Sequence, residues 1–443
     1  MKTDSNLSIG EKIKQIRSAK GISQENMARA IKSNQSYVYR LEQGQAECSA
    51  EMLTTIRKFL EIENAPLMEH EISMYRHRIW VWIGLLDTNR LAEAKDVQAE
   101  LSSVLDLPFE HDLRFMFNMV KAAAHLKAFD MPAAMETMDG MDALADGASD
   151  GALYMYHRNK GIINALHGDS KSGLKHFLQA TDFESDKIKI DWATLSNIGA
   201  QYLGLGRPYN AMIYLERAYK EFQGSHTYYA GPHITGSLAS AYMYLGEYTN
   251  AKKLFNAAYD QAKSIGNDIQ IVLTLLNLGL LDIKMGNYEQ GVERCNQALE
   301  HIQKSGLQDK KYTFNKGFKN SPQYIMGLFN KGLGLLKMKE FEQCREVLAQ
   351  GKALAKGDEK ATIMFDTLGH FTTLKESNSE KYIEDIAIPY FMAGDGPDKL
   401  MILDLCKDLE AHYKKKRAKI KALSIAAIIR DIYEGMFTGE MEL

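Results

Sequence analysis

Five polar residues recur in this chain in a pattern suited to gripping a ligand rather than reacting with it. Asn159, Asn197, Asn277 and Asn330 each stand two residues before a small residue, Gly161, Gly199, Gly279 and Gly332; Ser237 stands two before Ala239. Asn is disfavoured in a helix interior, so its recurrence needs a cause. A carboxamide both donates and accepts, matching the N–H and C=O of an extended peptide. A row of them would clamp a peptide backbone. The alternative is that the same carboxamides brace neighbouring helices. Beside the row fall His157, Arg158, His233, Met243, Tyr244, Leu273, Leu276, Met326 and Phe329. Arg158 suits an acidic group of a ligand, and Tyr244 and Phe329 suit apolar ones; Tyr, Met and Leu at helical spacing equally describe core. Reactive chemistry is not indicated. There is no nucleophile–base pair, no Gly-rich phosphate loop and no metal-spaced His or Cys, so no enzyme and no metal or other cofactor is expected.

The elements that position this row repeat every forty residues through 191–300. Gly199, Ala239 and Gly279 are equivalent. Tyr202, Tyr242 and Asp282 follow three later, and Gly206, Gly246 and Gly286 seven later. Ala211, Ala251 and Gly291, then Ala218, Ala258 and Ala298, complete the pattern. Small and aromatic residues at such offsets resemble the tetratricopeptide repeat, a helical hairpin. The first small residue lets helix A approach helix B; the glycine seven later ends helix A in a left-handed turn. Weaker pairs precede and follow, giving about nine hairpins over 66–443, with a longer loop expected near 305–322. Only eight prolines in 443 residues permit a wholly helical chain. Stacked hairpins of this kind form a right-handed superhelix whose A helices line a concave groove. The recurring polar positions fall on that inner face.

Residues 1–64 read differently. Ser8 and Glu11 form a capping box for a first helix, and Ser23, Asn34 and Ser49 cap three more. Ile13, Ile16, Met27, Ala28, Ile31, Val38 and Leu41 point inward, and Gly21 and Gly44 end helices. The head carries ten Lys and Arg against seven Asp and Glu through residue 62, on a chain whose net charge is -3. A basic head on an acidic body suits a DNA-binding module on a carrier. The run IGEKIKQIRSAKGISQENMARAIKSNQSYVYRLEQG closely resembles the lambda-repressor-like helix-turn-helix family. That resemblance implies a third helix in the major groove. It nominates Gln35, Ser36, Tyr39 and Arg40 as base or phosphate contacts, and Gln24 as a phosphate contact or a brace for Gln35. Lys32-Ser33 departs from the family, which usually has Gly and an apolar residue there.

Head and repeats together resemble the quorum-sensing receptors of Gram-positive bacteria, the Rap/Rgg/NprR/PlcR/PrgX group, with NprR and Rap nearest in look. The resemblance implies a cytoplasmic, all-α regulator that binds double-stranded DNA and a re-imported short linear signalling peptide, as a homodimer or tetramer. The alternatives are a Rap-like modulator of a response regulator, a phage arbitrium-type receptor, or a scaffold for a protein partner. No run is apolar enough for a bilayer, and the N-terminus has no secretory apolar region. The four cysteines are expected to be free, buried thiols. Leu423, Ile425, Ile428, Ile429, Ile432 and Met436 give the last helix more apolar surface than an end cap requires, so the C-terminal hairpin is expected to form the homodimer contact.

Overall fold

A computed structural model describes residues 7–62, 67–88, 90–105, 110–128, 130–145, 148–186, 188–223, 228–305, 322–394 and 397–437. Among these the regular structure is entirely helical. Contacts divide the chain into two units, Met1–Lys160 with Gln179–Ile188, and Gly161–Leu178 with Lys189–Leu443. Ala65 and Pro66, between the head and the repeats, lie outside the described residues, as does most of the loop expected near 305–322.

The first unit begins with α1 (Ile9–Ala19), α2 (Gln24–Ala30), α3 (Gln35–Glu42) and α4 (Ala50–Phe59). All four caps form as the sequence implies. Ser8 and Glu11 complete the capping box, and the side chains of Ser23, Asn34 and Ser49 accept from Asn26, Tyr37 and Met52. Each satisfies an orphan N–H and stops the helix from extending backwards. Ile13, Met27, Val38, Leu41, Leu53 and Ile56 are enclosed and make one small core. Gly10 permits α1 to cross α3: a Cβ there would lie 1.7 Å from the Leu41 carbonyl oxygen. The unit continues with α5 (Glu69–Asp87), α6 (Leu91–Leu105), α7 (His111–Lys127) and α8 (Met131–Met138), where Trp82 meets Phe117 at 5.5 Å.

α9 (Asp150–Leu166) and α10 (Ser170–Thr181) follow. The hairpins of the second unit are α11 (Trp192–Gly204) with α12 (Pro208–Gln223), α13 (Gly231–Tyr244) with α14 (Tyr248–Ser264), α15 (Asp268–Lys284) with α16 (Tyr288–Ser305), and α17 (Pro322–Met338) with α18 (Phe341–Leu354). The repeat offsets explain their closeness. A Cβ at Gly199 would meet Leu215 Cγ at 2.4 Å, so only glycine lets α11 lie this near α12. Gly206, Gly246 and Gly286 end their A helices with φ of 68°, 82° and 85°. Ala211, Ala218, Ala251, Ala258 and Ala298 are fully buried on the B helices. Asp282 departs from its tyrosine equivalents: its enclosed carboxylate accepts from Lys252 at 2.9 Å and Arg294 at 2.7 Å. A helices pack side by side, α11 on α13, α13 on α15 and α15 on α17.

Next come α19 (Glu359–Thr372), then α20 (Ser377–Tyr382) and α21 (Ile388–Ala393) joined by a π-turn, and finally α22 (Pro397–Lys415) with α23 (Lys419–Phe437). This last hairpin does more than close the stack. α23 packs on α12, where the Tyr209 and Phe437 rings lie 5.9 Å apart. On α22, Asp404 pairs with Lys284 and Asp408 with Lys337 at 2.5 Å. Those two lysines occupy the same offset, five residues after Gly279 and Gly332. The apolar surplus of α23 is therefore spent mainly inside the chain: Ile425, Ile432 and Met436 are buried and Ile428 and Ile429 pack against the core. Leu423, with its neighbour Ile420, stays exposed.

Candidate functional site

In the head, Asn34 fixes the start of α3 by accepting from the Tyr37 N–H at 2.7 Å. Val38 and Leu41 then anchor its inner face. That leaves Gln35, Ser36, Tyr39 and Arg40 exposed on its outer face, Tyr39 by 53%. Of the two roles expected of Gln24, the brace for Gln35 is not formed. Its amide donates to Glu42 at 2.8 Å, not to Gln35. The cause is Glu42 itself, which is 1% exposed and needs donors; Arg17 supplies another at 3.0 Å. The sequence held the signal for this cluster, because Glu42 falls one turn after Val38 on the buried face of α3. Lys32 adopts φ 53°, a left-handed conformation that glycine takes without a Cβ penalty.

The row of polar residues splits into two kinds. Asn197, Ser237 and Asn277 sit half-buried on α11, α13 and α15, and no hydrogen bond holds their side chains among the described residues. Asn159 is fully enclosed and donates to the Met119 carbonyl at 2.7 Å, so it braces two helices. Asn330 is 3% exposed and directs its amide toward the Leu276 carbonyl, 3.4 Å away. The bracing alternative thus holds at Asn159 and partly at Asn330, while the three central positions keep their groups open. His233, one turn before Ser237, is exposed at the surface, and desolvation by the surrounding protein lowers its pKa below the ordinary value. Met243 and Leu276 are core residues.

Three of the expected contacts meet in one place. Tyr244, Phe329 and Asn330 line a cavity of about 170 Å³ in the second unit. Phe329 is also packed edge-on against Phe365, with ring centres 6.1 Å apart. Burial, then the nearby Asp404 carboxylate, raises the pKa of Tyr244. Burial pushes the Asp404 carboxyl up, but the Lys284 ammonium, with Lys407 beside it, more than offsets this and leaves its pKa below the ordinary value. Arg158 and Asn159 belong to the first unit. The four cysteines are free and buried, and burial drives Cys344 up to about 11. Among the described residues no cluster suits a metal ion and no helix is long and apolar enough to cross a membrane.

Comparison with known proteins agrees with both halves. Residues 13–63 match the helix-turn-helix family and residues 232–304 the tetratricopeptide repeat. No curated protein matches the sequence. Among solved structures, the apo quorum sensor NprR from B. thuringiensis superposes with a TM-score of 0.60 at 16% identity, over 82% of this chain and 99% of that one. NprR in complex with its cognate peptide NprX gives 0.59 at 16%, over 84% and 100%. A Rap protein complexed with competence and sporulation factor gives 0.62 at 12%, over 82% and 98%. The class is therefore an all-α, helix-turn-helix and tetratricopeptide-repeat protein. Its fold is that of the NprR and Rap quorum sensors.

Proposed function

We propose that this chain is a cytoplasmic, peptide-responsive transcriptional regulator. The observation that carries the reading is the row Asn197, Ser237 and Asn277: three successive A helices present unpartnered polar groups at one register. An extended peptide that leaves water needs a partner for each backbone N–H and C=O, and an unpaired buried group costs about 1–3 kcal/mol. The row supplies such partners at intervals. Solved NprR and Rap complexes with NprX and with competence and sporulation factor support the comparison. The second half of the reading rests on α3, whose exposed Gln35, Ser36, Tyr39 and Arg40 form a polar face of the size that enters a major groove. Gln24 acts there through Glu42, holding α2 and α3 in register. In this reading the body begins after residue 65, the protein works as a homodimer, and Ile420 and Leu423, 83% and 70% exposed, lie in the contact between copies.

The test is a gel-shift titration of the full-length protein on the DNA upstream of its own gene, with and without the peptide that co-purifies from the native host. A shift whose midpoint moves with peptide is expected. No shift at low salt removes the regulator reading, and a shift indifferent to peptide removes the coupling between groove and head.

A further inference from the structure

The A helix that follows the open row borders a cavity. After Asn277 the next A helix, α17, carries Asn330, which lies in the wall of the 170 Å³ cavity. One side of that cavity comes from the repeats through Tyr244, Phe329 and Met364. The other comes from the C-terminal hairpin through Leu400 and Met401 on α22. The charged groups in the wall cancel in pairs, Lys284 with Asp404 and Lys360 with Asp398 at 2.5 Å. A charged guest would therefore lose its water and meet no free counter-ion. An apolar cavity of about 150 Å³ is enough to take up benzene. Methionine walls adapt to a guest's outline, having several rotatable bonds and a polarizable sulfur.

The geometry points to a side-chain specificity pocket at the end of the row. On the reading that the row grips a linear peptide, the residue passing Asn330 is apolar, of Leu, Met or Phe size. α22 forms one wall of its pocket. The C-terminal hairpin is thus part of the peptide site as well as the last pair of the stack. The two ion pairs give the wall its position: they fasten α22 to α15 and to α19 on either side of the cavity.

The test equilibrates the full-length protein with a pool of linear heptapeptides randomised at every position and sequences the retained peptides by mass spectrometry. Phe, Leu and Met should exceed Asp, Glu and Lys at one position by roughly tenfold or more, a ratio that corresponds to about 1.4 kcal/mol. Met401 is half-buried, so its substitution tests the wall without emptying the core. Met401→Trp should shift the preference at that position to Ala, Ser and Gly; Met401→Ala should shift it to Tyr and Trp. Circular dichroism checks that each variant is folded. Retained peptides with no apolar preference, or a preference unchanged in both variants, overturn the pocket and leave the row standing. If the wild type retains no peptide, row and pocket fall together. Loss of retention in Asn277→Ala, whatever the residue at the selected position, separates grip from selection.

Discussion

The Nζ of Lys12 lies 2.8 Å from Oε1 of Glu110, with 7% and 8% of the two side chains left exposed. The pair joins α1 of the head to a residue 98 positions later. The Leu67 N–H donates to the same oxygen at 3.2 Å. Arg57 on α4 makes a second, bidentate contact to Glu71 at 3.1 and 2.8 Å, and Glu71 also accepts from the Met68 N–H. The head is thus fastened to the start of the body by two ion pairs rather than by chain connection alone. Removing one member of an enclosed pair strands the other charge. Glu110→Ala should therefore cost about 3–5 kcal/mol, while Lys12→Met with Glu110→Leu should recover most of it. Guanidinium denaturation of the full chain measures both.

Lys32 carries a local strain that its side chain does nothing to relieve. It is exposed and its φ is 53°. Lys32→Gly should stabilise the turn between α2 and α3 by about 1 kcal/mol, since glycine adopts this conformation without a Cβ clash. Slower amide exchange in α2 and α3 of the full-length variant is the expected result. Unchanged or faster exchange would place the strain elsewhere.

The parts of this architecture that sequence could disclose are those decided within a turn or two of chain. The caps at Ser8, Ser23, Asn34 and Ser49 each bind an N–H three residues away, so type and spacing suffice. The A–B approach at Gly199 and Leu215 is likewise contained in one hairpin. What escaped the reading depends on distant chain. Lys284 and Asp404 are 120 residues apart, and their pairing turns the last hairpin from a terminal cap into a wall of the cavity. Asn159 and Asn197 share one repeat offset yet differ in role. Only the former meets a backbone carbonyl, that of Met119. An offset fixes where a side chain stands on its own helix and leaves open what the neighbouring helix offers it.

The pairing at Asp404 also predicts a pH window. A carboxyl whose folded pKa is depressed contributes stability above its unfolded value, about 3.9, and loses it as the pH falls through the folded value. Docking of α22 should accordingly be level between about pH 5 and 8 and weaken only in acid below about pH 4. Hydrogen exchange over 397–408, away from the His412–Glu380 pair at the far end of α22, reads this directly once corrected for intrinsic rate. Lys284→Ala should open the same segment at neutral pH. Protection that changes between pH 5 and 8 would mean that another group holds the helix.

The two kinds of asparagine should separate cleanly on mutation. Asn159→Ala removes a buried hydrogen bond and should cost about 1 kcal/mol of stability, with retention from the peptide pool unaffected. Asn197→Ala and Asn277→Ala remove open groups and should leave stability within about 0.5 kcal/mol. Each should weaken peptide binding by about 1 kcal/mol or more, one hydrogen bond's worth. Thermal denaturation and isothermal calorimetry with a peptide recovered from the pool make the comparison. Equal peptide affinity in all three variants would make the whole row structural.

The face of α3 yields the last prediction. Gln35 and Arg40 are exposed on a helix whose inner side is pinned by Val38 and Leu41, so truncating either leaves the packing intact. Gln pairs with adenine and Arg with guanine through two hydrogen bonds, each such pair worth about 1–3 kcal/mol of discrimination. Gln35→Ala and Arg40→Ala should each reduce binding to the preferred site by that amount and flatten the preference for one base. Binding to unrelated DNA should change less. Affinity should fall steeply with salt, because each neutralised phosphate releases a counter-ion. A dimer should protect two half-sites about 34 Å apart or a multiple of that. Footprinting of wild type and the double variant on the upstream DNA distinguishes the outcomes: equal protection by both would show that α3 does not read the bases.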